Sequence, residues 1–469
     1  SPRQDKDGWD AIIAIADVSF YVRPVSELDQ AARARGNSVY FPDRVVPMLP
    51  EELSADICSL KAGEPRAALA CHMHIGRDGE MKSWRFTRAK VLIAANIAYE
   101  DAQAAIDGNA GHVDSAIVED GLKPLWACWR ALYAARQKRG PLELDLPERQ
   151  VVLDEKGRIA SVAPRERLDA HKLVEDFMIA ANVAAAKALE AKKAPVMYRI
   201  HEAPSREKLV ALKDYLETFD LEFTLGQVIN PSVFNRIIER VGDGDGRTEI
   251  MEQLLRTQMQ ARYGPERLGH FGLALATYAH FTSPIRRYAD LLVHRALVGA
   301  YKLGEGSLPA GDEGRFDEIG EKISLLERRA MDAERETIDR YVAAFLADRV
   351  GQIVNCRITG VQSFGFFATV EGLGGDGLLF ARDLGREYFR FDEAARQLVG
   401  EDSGDTFRIG QRLELRLADA NPVTGSLRFE LPEGGYGGAA PQRRDRVRKP
   451  PSSGKRGRPS NIRHQGKRR

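Results

Sequence analysis

The sequence predicts an α+β body followed by an all-β barrel and a basic tail. Three observations carry that prediction. Up to about residue 348, helix-period stretches alternate with short β-branched runs. From 349 to 433 the chain offers only short strand-like runs broken by glycines. From Gly434 to Arg469 it turns polar and cationic, with twelve lysines and arginines against the single Asp445. The boundaries are therefore drawn at 1–348, 349–433 and 434–469. That division fits the roughly three domains a chain of 469 residues suggests.

The body is read in order. WDAIIAIADVSFYV (9–22) is a core strand, and LDQAARARG is a helix stopped by Gly36. SVYFPDRVVPMLP is extended and punctuated by Pro42, Pro47 and Pro50. Residues 68–93 form two strands around the turn GRDG. IAYEDAQAAIDG and 119–138 are helices, and LELDLPERQVVLDEKGRIASV is a hairpin around DEKG. LDAHKLVEDFMIAANVAAAKALEAKK is a long helix whose Leu173, Phe177 and Ala181 share one face. Strand VMYRIH follows, then a helix N-capped by Ser205. Residues 231–262 are helical with a GDGDG break, and a helix from about 314 to 346 closes the body. The opening SPRQDKDG reads as a hairpin turn with one strand missing, so a segment upstream of Ser1 is expected.

In the second unit five short strands with turn glycines fit an OB barrel. SFGFF puts Phe364 and Phe366 on one face and Phe367 on the other. On an OB barrel an aromatic either stacks a base or plugs the interior, and both roles stand open for Phe364 and Phe366. The tail carries a net charge of +11, which leaves −10 on residues 1–433 of a chain whose total is +1. An acidic body with a basic end implies a polyanionic partner for the tail, or a solubilising end.

No run reaches the roughly 18 apolar residues of a membrane span. Cys58, Cys71, Cys128 and Cys356 are scattered, which suits a reducing cytoplasm and argues against a disulfide framework. His72 and His74 share a strand face without a third metal ligand nearby in sequence, and GLGGDG lacks the helix a phosphate loop needs.

The densest chemistry lies in GHFGLALATYAHFTSPIRRYADLLVHR (269–295). It holds His270, His280, Thr282, Ser283, Arg286, Arg287, His294 and Arg295. A helix starting at Pro284 behind Thr282 and Ser283 points its free N–H groups at an anion. Two arginines in that first turn call for a phosphate.

AIADVSFYV, SVYFPDRVVPMLPEELSADICSL, DAHKLVEDFMIAAN and this last string, in this order, resemble the catalytic domain of the ribonuclease II/ribonuclease R exoribonucleases. The wording SVYFP and HFTSPIRRY and the basic tail resemble the ribonuclease R branch. The resemblance runs from residue 9 to about 433 and implies an RNB catalytic domain followed by an S1 RNA-binding domain. It implies processive 3′-to-5′ hydrolysis of RNA to nucleoside 5′-monophosphates with Mg²⁺. Single-stranded RNA, and structured RNA, are the implied substrates of a monomer. The tail is an expected contact for a ribosome or helicase.

By the same resemblance Arg286 stabilises the transition state; Arg287 is expected on the RNA from its place at the same helix start. Tyr40 stacks on the 3′-terminal nucleotide and Tyr99 lies further along the channel. Glu175 reads a 2′-hydroxyl. Apart from the resemblance, Phe364 and Phe366 are the barrel's expected RNA contacts on the OB reading. Without the resemblance Tyr40 and Tyr99 also suit ordinary core positions. Two departures stand out. Leu144 occupies a place where some members have a stacking Phe. The family's four metal-binding aspartates belong just before the AIADV strand, a place that falls upstream of Ser1. Asp5, Asp7, Asp10 and Asp17 do not reproduce that motif. Residues 1–469 are therefore expected to hold the RNA channel without the metal site. A non-catalytic single-stranded RNA-binding module is the rival reading.

Overall fold

The structure, a computed structural model, describes residues 3–432 apart from 5–6, 110, 145, 147–148, 156, 165, 227, 243–246 and 394. The tail from Gly434 onwards, Asp5 and most of GDGDG therefore lie outside the described residues.

A four-stranded antiparallel sheet organises the body. Its order is Arg3–Gln4, Gly8–Ala16, Pro65–Gly76, Met81–Leu92. The first strand is only a two-residue rung, Arg3 opposite Asp10 and Gln4 opposite Trp9. The second strand pairs without a break from Gly8–Gly76 to Ala16–Ala68. It does not run on to residue 22. Asp17 ends it by accepting the Phe20 N–H at 3.1 Å, which starts the one-turn helix Val18–Tyr21. A short polar side chain able to bond the backbone locally outcompetes β-propensity here.

Helix Asp169–Ala191 crosses the core. Its Ala181, Ala184, Ala185, Ala186 and Ala188 are fully buried, and their small side chains let neighbouring elements pack close. Beside it lies helix Tyr288–Ala300, with Leu291, Leu292 and Leu297 in the same core. Three shorter helices, Arg206–Glu217, Pro231–Val241 and Arg247–Thr257, enclose a second core around Leu212, Phe234 and Leu254. Ser205 caps the first of these by accepting from Lys208 N. The region expected to be helical through 262 ends instead in a short strand, Arg262–Gly264, paired with Tyr198–Ile200.

The helix Phe316–Ala347, 32 residues long, leads to the second unit. There a closed barrel forms from Ile353–Gln362, Gly365–Val370, Asp376–Phe380, Ser426–Glu430 and Arg412–Asn421. An additional three-stranded sheet, Phe389–Asp392, Gln397–Gly400 and Thr406–Arg408, interrupts it and was not foreseen. The barrel is seated on helix Arg247–Thr257: Arg357 pairs with Glu252, and Arg256 donates to Thr359 O at 2.7 Å.

Among the described residues no helix is long and apolar enough to cross a membrane. All four cysteines are buried and unpaired.

Candidate functional site

The helix anticipated at Pro284 begins later. Residues 284–286 form a turn, and Arg287 is the N-cap of helix Tyr288–Ala300. The turn closes through Arg286 N and Arg287 N, which both donate to Ser283 O. Its shape is then held from two sides. On the inner side Asp290, fully buried, accepts the Ser283 N–H at 2.6 Å. The same carboxylate takes both prongs of Arg287 at 2.8 Å each. This fork-on-fork geometry is the strong form of the Arg–carboxylate bond. On the outer side the segment 36–38 lies against the turn. Ser38 N donates to Arg286 O at 3.0 Å, Asn37 bridges Arg287, and Tyr288 N donates to Gly36 O at 2.9 Å.

Gly36 has φ +74°, and a Cβ there would meet Leu326 of the long helix at 2.8 Å. A side chain at 36 would therefore push the segment off the turn.

These contacts sort the eight polar residues of the motif. Arg295 is buried on Asp29 at 2.8 Å and donates to Val22 O. His294 is buried, donates from Nε2 to Phe281 O at 2.7 Å and stacks on the Phe281 ring. His280 faces Tyr263 OH at 2.9 Å, and burial with the nearby Arg287 keeps it well below the ordinary imidazole range. His270 is pushed down to about 3 by burial, with His201 beside it, and accepts the Leu273 N–H. These rings are neutral internal partners. Arg287 is spoken for by Asp290, a pairing that raises its pKa against the opposing pull of burial. Thr282 and Ser283 are half-buried. Arg286 alone of the eight is exposed, and among the described residues its guanidinium has no hydrogen bond or ion pair.

Tyr40 sits two residues beyond Ser38, in the small hairpin Val39–Tyr40 with Val45–Val46. The residue is 46% exposed, and its N–H donates to Glu334 Oε1 at 2.7 Å. The backbone rungs just described tie the Tyr40 hairpin to the Arg286 turn.

A second group forms around helix Asp169–Ala191. Tyr99 stacks on His171 with centroids 4.3 Å apart and planes at 24°. Glu175 lies one turn on from His171 and bonds Arg136 at 3.1 Å and Arg167. Its neighbour Asp176 is buried and accepts from Trp129 Nε1 at 2.9 Å and Arg136 at 2.8 Å. Arg136, Arg167, Lys172, Arg247 and Leu144 line a cleft of about 840 Å³ beside this group. Leu144 supplies an aliphatic wall there, not a ring. His171, Arg136 and Arg167 escaped the sequence reading. The i, i+4 spacing of His171 and Glu175 was the available signal for the first of them.

On the barrel, Phe366 does not share a face with Phe364. Ser363 and Phe364 form the hairpin turn, and Gln362 pairs with Gly365. Strand alternation therefore starts only at Gly365, whose Cβ would meet Leu379 O at 2.2 Å. Phe366 points inward, fully buried and stacked on Phe407 at 5.4 Å. Phe364 is 50% exposed and meets the half-exposed Phe367 edge-on at 6.2 Å. The outward aromatic pair is thus 364 with 367.

The carboxylates nearest the expected metal motif are committed elsewhere. Asp17 holds Arg88 at 2.6 Å and Ser19 at 2.5 Å, and Asp10 meets His74 at 2.8 Å. His72 meets Thr87 Oγ1 at 2.9 Å. Among the described residues no group of three or more His, Cys, Asp or Glu side chains is placed to hold a metal ion. The described residues thus do not fit the Mg²⁺ that the resemblance implies.

The RNB domain family matches residues 1–302. The chain belongs to that family. Ribonuclease R of Escherichia coli is 37% identical to this RNB chain over 90% of it and 53% of its own length. Ribonuclease R of Aquifex aeolicus is 38% identical over 90% and 60% respectively. The RNB chain therefore spans little more than half the length of these curated relatives. Its fold is α+β and close to that of Mycoplasma genitalium ribonuclease R, solved in apo form and in complex with ribose methylated single-stranded RNA. Against each the TM-score is 0.86 at 27% identity, covering 92% of this chain and 68% of the other. A complex of the same enzyme with double-stranded RNA gives a TM-score of 0.78 at 26% identity, covering 92% and 72%.

Proposed function

We propose that this RNB chain supplies the RNA-holding and charge-stabilising part of a hydrolytic 3′-to-5′ exoribonuclease. That enzyme works processively, releases nucleoside 5′-monophosphates and uses Mg²⁺. The observation that carries the reading is the exposed Arg286, without a partner among the described residues, on a turn hydrogen-bonded through its backbone to the segment bearing Tyr40. A guanidinium carried on a fixed backbone meets a phosphate without first leaving another partner, and an exposed ring two residues beyond Ser38 suits a terminal base. Tyr99 with Glu175 is the second contact group, where an aromatic and a carboxylate suit a base and a ribose hydroxyl. The barrel is read as an S1 domain whose Phe364 and Phe367 stack bases. One family relative, solved with single-stranded and with double-stranded RNA, supports RNA as the partner. Four buried thiols suit a reducing cytoplasm. Contacts of the tail with a ribosome or helicase, and a monomeric state, belong to the same reading.

The rival, RNA binding without turnover, draws on the missing three-ligand group among the described residues. The two meet in one experiment. Residues 1–469, incubated with 3′-labelled single-stranded RNA and Mg²⁺, are expected to bind it and release no mononucleotide. The full-length protein is expected to release mononucleotides under the same conditions. Turnover by residues 1–469 that survives repurification contradicts the division of labour. Absence of turnover by the full-length protein establishes the rival.

The tail contributes affinity and not sequence choice. Deleting residues 434–469 is expected to flatten the plot of log K against log salt by roughly 0.7 per lost phosphate contact. An unchanged slope means the tail does not touch RNA.

A further inference from the structure

We infer that Arg287 and Asp290 form a positioning pair that aims Arg286, so that Arg287 acts without touching RNA. The inference rests on the proposed role of Arg286 at the scissile phosphate. Two adjacent arginines are equivalent as sequence, and both were expected at the RNA. Their surroundings make them different. Asp290 is fully buried and spans the turn from end to end, accepting the Ser283 N–H at 2.6 Å and gripping Arg287 through two bonds of 2.8 Å. Ser283 and Arg287 bracket Arg286. Between them the backbone of Arg286 is fixed again by Ser38 on the opposite side. One carboxylate thus sets both ends of a short arch, within which Arg286 keeps a guanidinium with no partner among the described residues.

The pairing also decides the charge. The carboxylate cancels Arg287, so one cation faces solvent from the arch and not two. A phosphate arriving there meets a single guanidinium borne on a fixed backbone, which favours stabilisation of one geometry over general attraction. Arg287 could reach a phosphate only by leaving Asp290 buried and unpaired, an expensive exchange.

The test measures single-turnover cleavage and RNA affinity in the full-length protein carrying Arg287→Gln, Asp290→Asn or both, with a thermal melt of each. Affinity for a single-stranded oligoribonucleotide is expected to stay within about threefold, while the cleavage rate falls about tenfold or more. The double variant is expected to be no slower than the slower single, as for residues acting as one unit. A structural role alone does not divide rate from affinity in this way. Each single variant leaves a buried charge without its partner and risks unfolding. The double variant leaves none and keeps the test decisive. Arg287→Gln weakening affinity as much as it slows cleavage makes Arg287 an RNA ligand and overturns the inference. A double variant of native melting temperature and native rate overturns it as well. Arg286→Ala is measured alongside. If it leaves the rate intact, the reading of Arg286 is what fails. If it alone is slow and the pair variants are native, only the pair fails.

Discussion

On the proposed reading, Arg286→Ala is expected to slow cleavage by the active enzyme by about 10²–10³ while changing RNA affinity far less. The reason is where charge develops. As water attacks the scissile phosphate, negative charge gathers on its non-bridging oxygens. A guanidinium already fixed at that point gains more in the transition state than in the bound ground state, and only that difference raises the rate. The turn meets part of that requirement: the backbone that carries Arg286 is fixed by Asp290 on one side and Ser38 on the other. Arg286→Lys is expected to recover only part of the rate, since an ammonium lacks the planar fork that engages two phosphate oxygens. Tyr40→Ala behaves differently. It removes a stacking surface, so it alters where degradation stalls and how long the end product is. Single-turnover kinetics with parallel affinity measurements separate these outcomes. A loss of affinity in proportion to rate in Arg286→Ala makes Arg286 a channel anchor and not a catalytic residue.

Phe366→Ala is expected to cost about 3–5 kcal/mol of stability in the barrel, read as an earlier unfolding transition. Phe366 is fully buried against Phe407, and truncation leaves a void the strands cannot close. Phe364→Ala is expected to leave the melt unchanged and to weaken single-stranded RNA binding by about 1–3 kcal/mol, the usual worth of a stacked base. An RNA-binding defect in a normally folded Phe366→Ala protein, or a folding defect in Phe364→Ala, reverses the assignment. The two residues look equivalent in SFGFF, and only the barrel tells them apart.

That equivalence shows where sequence reading stops. Period-two alternation identifies a strand once its ends are known, and the turn at Ser363–Phe364 shifts the start. Helix Asp169–Ala191 and the helix closing the body were readable because their apolar pattern is long and local. The end of the first long strand was not, because one aspartate bonding its own backbone overrides the β-branched run around it. The extra sheet at 389–408 went unread because its strands are only three or four residues long, too short for alternation to show. At the site, the arginines were legible as residue types but not as roles. What separates them is a carboxylate three positions on from Arg287 that is reached only through the turn. The stacking of Tyr99 on His171 joins residues whose sequence neighbourhoods give no hint of each other.

The rungs between residues 36–38 and the Arg286 turn also bear on how the site comes into being. Tyr288 reaches Asp29 across 259 positions of chain, and Arg295 reaches Val22 across 273. Contacts of such sequence separation carry a large loop-closure entropy and form late. A nascent chain emerging from the ribosome exposes Tyr40 long before Arg286 has been synthesised. Until the two meet, the ring and the guanidinium are separate surface groups with no common geometry. On the proposed reading of Tyr40 and Arg286, readiness to hold an RNA end is thus a property of the finished fold.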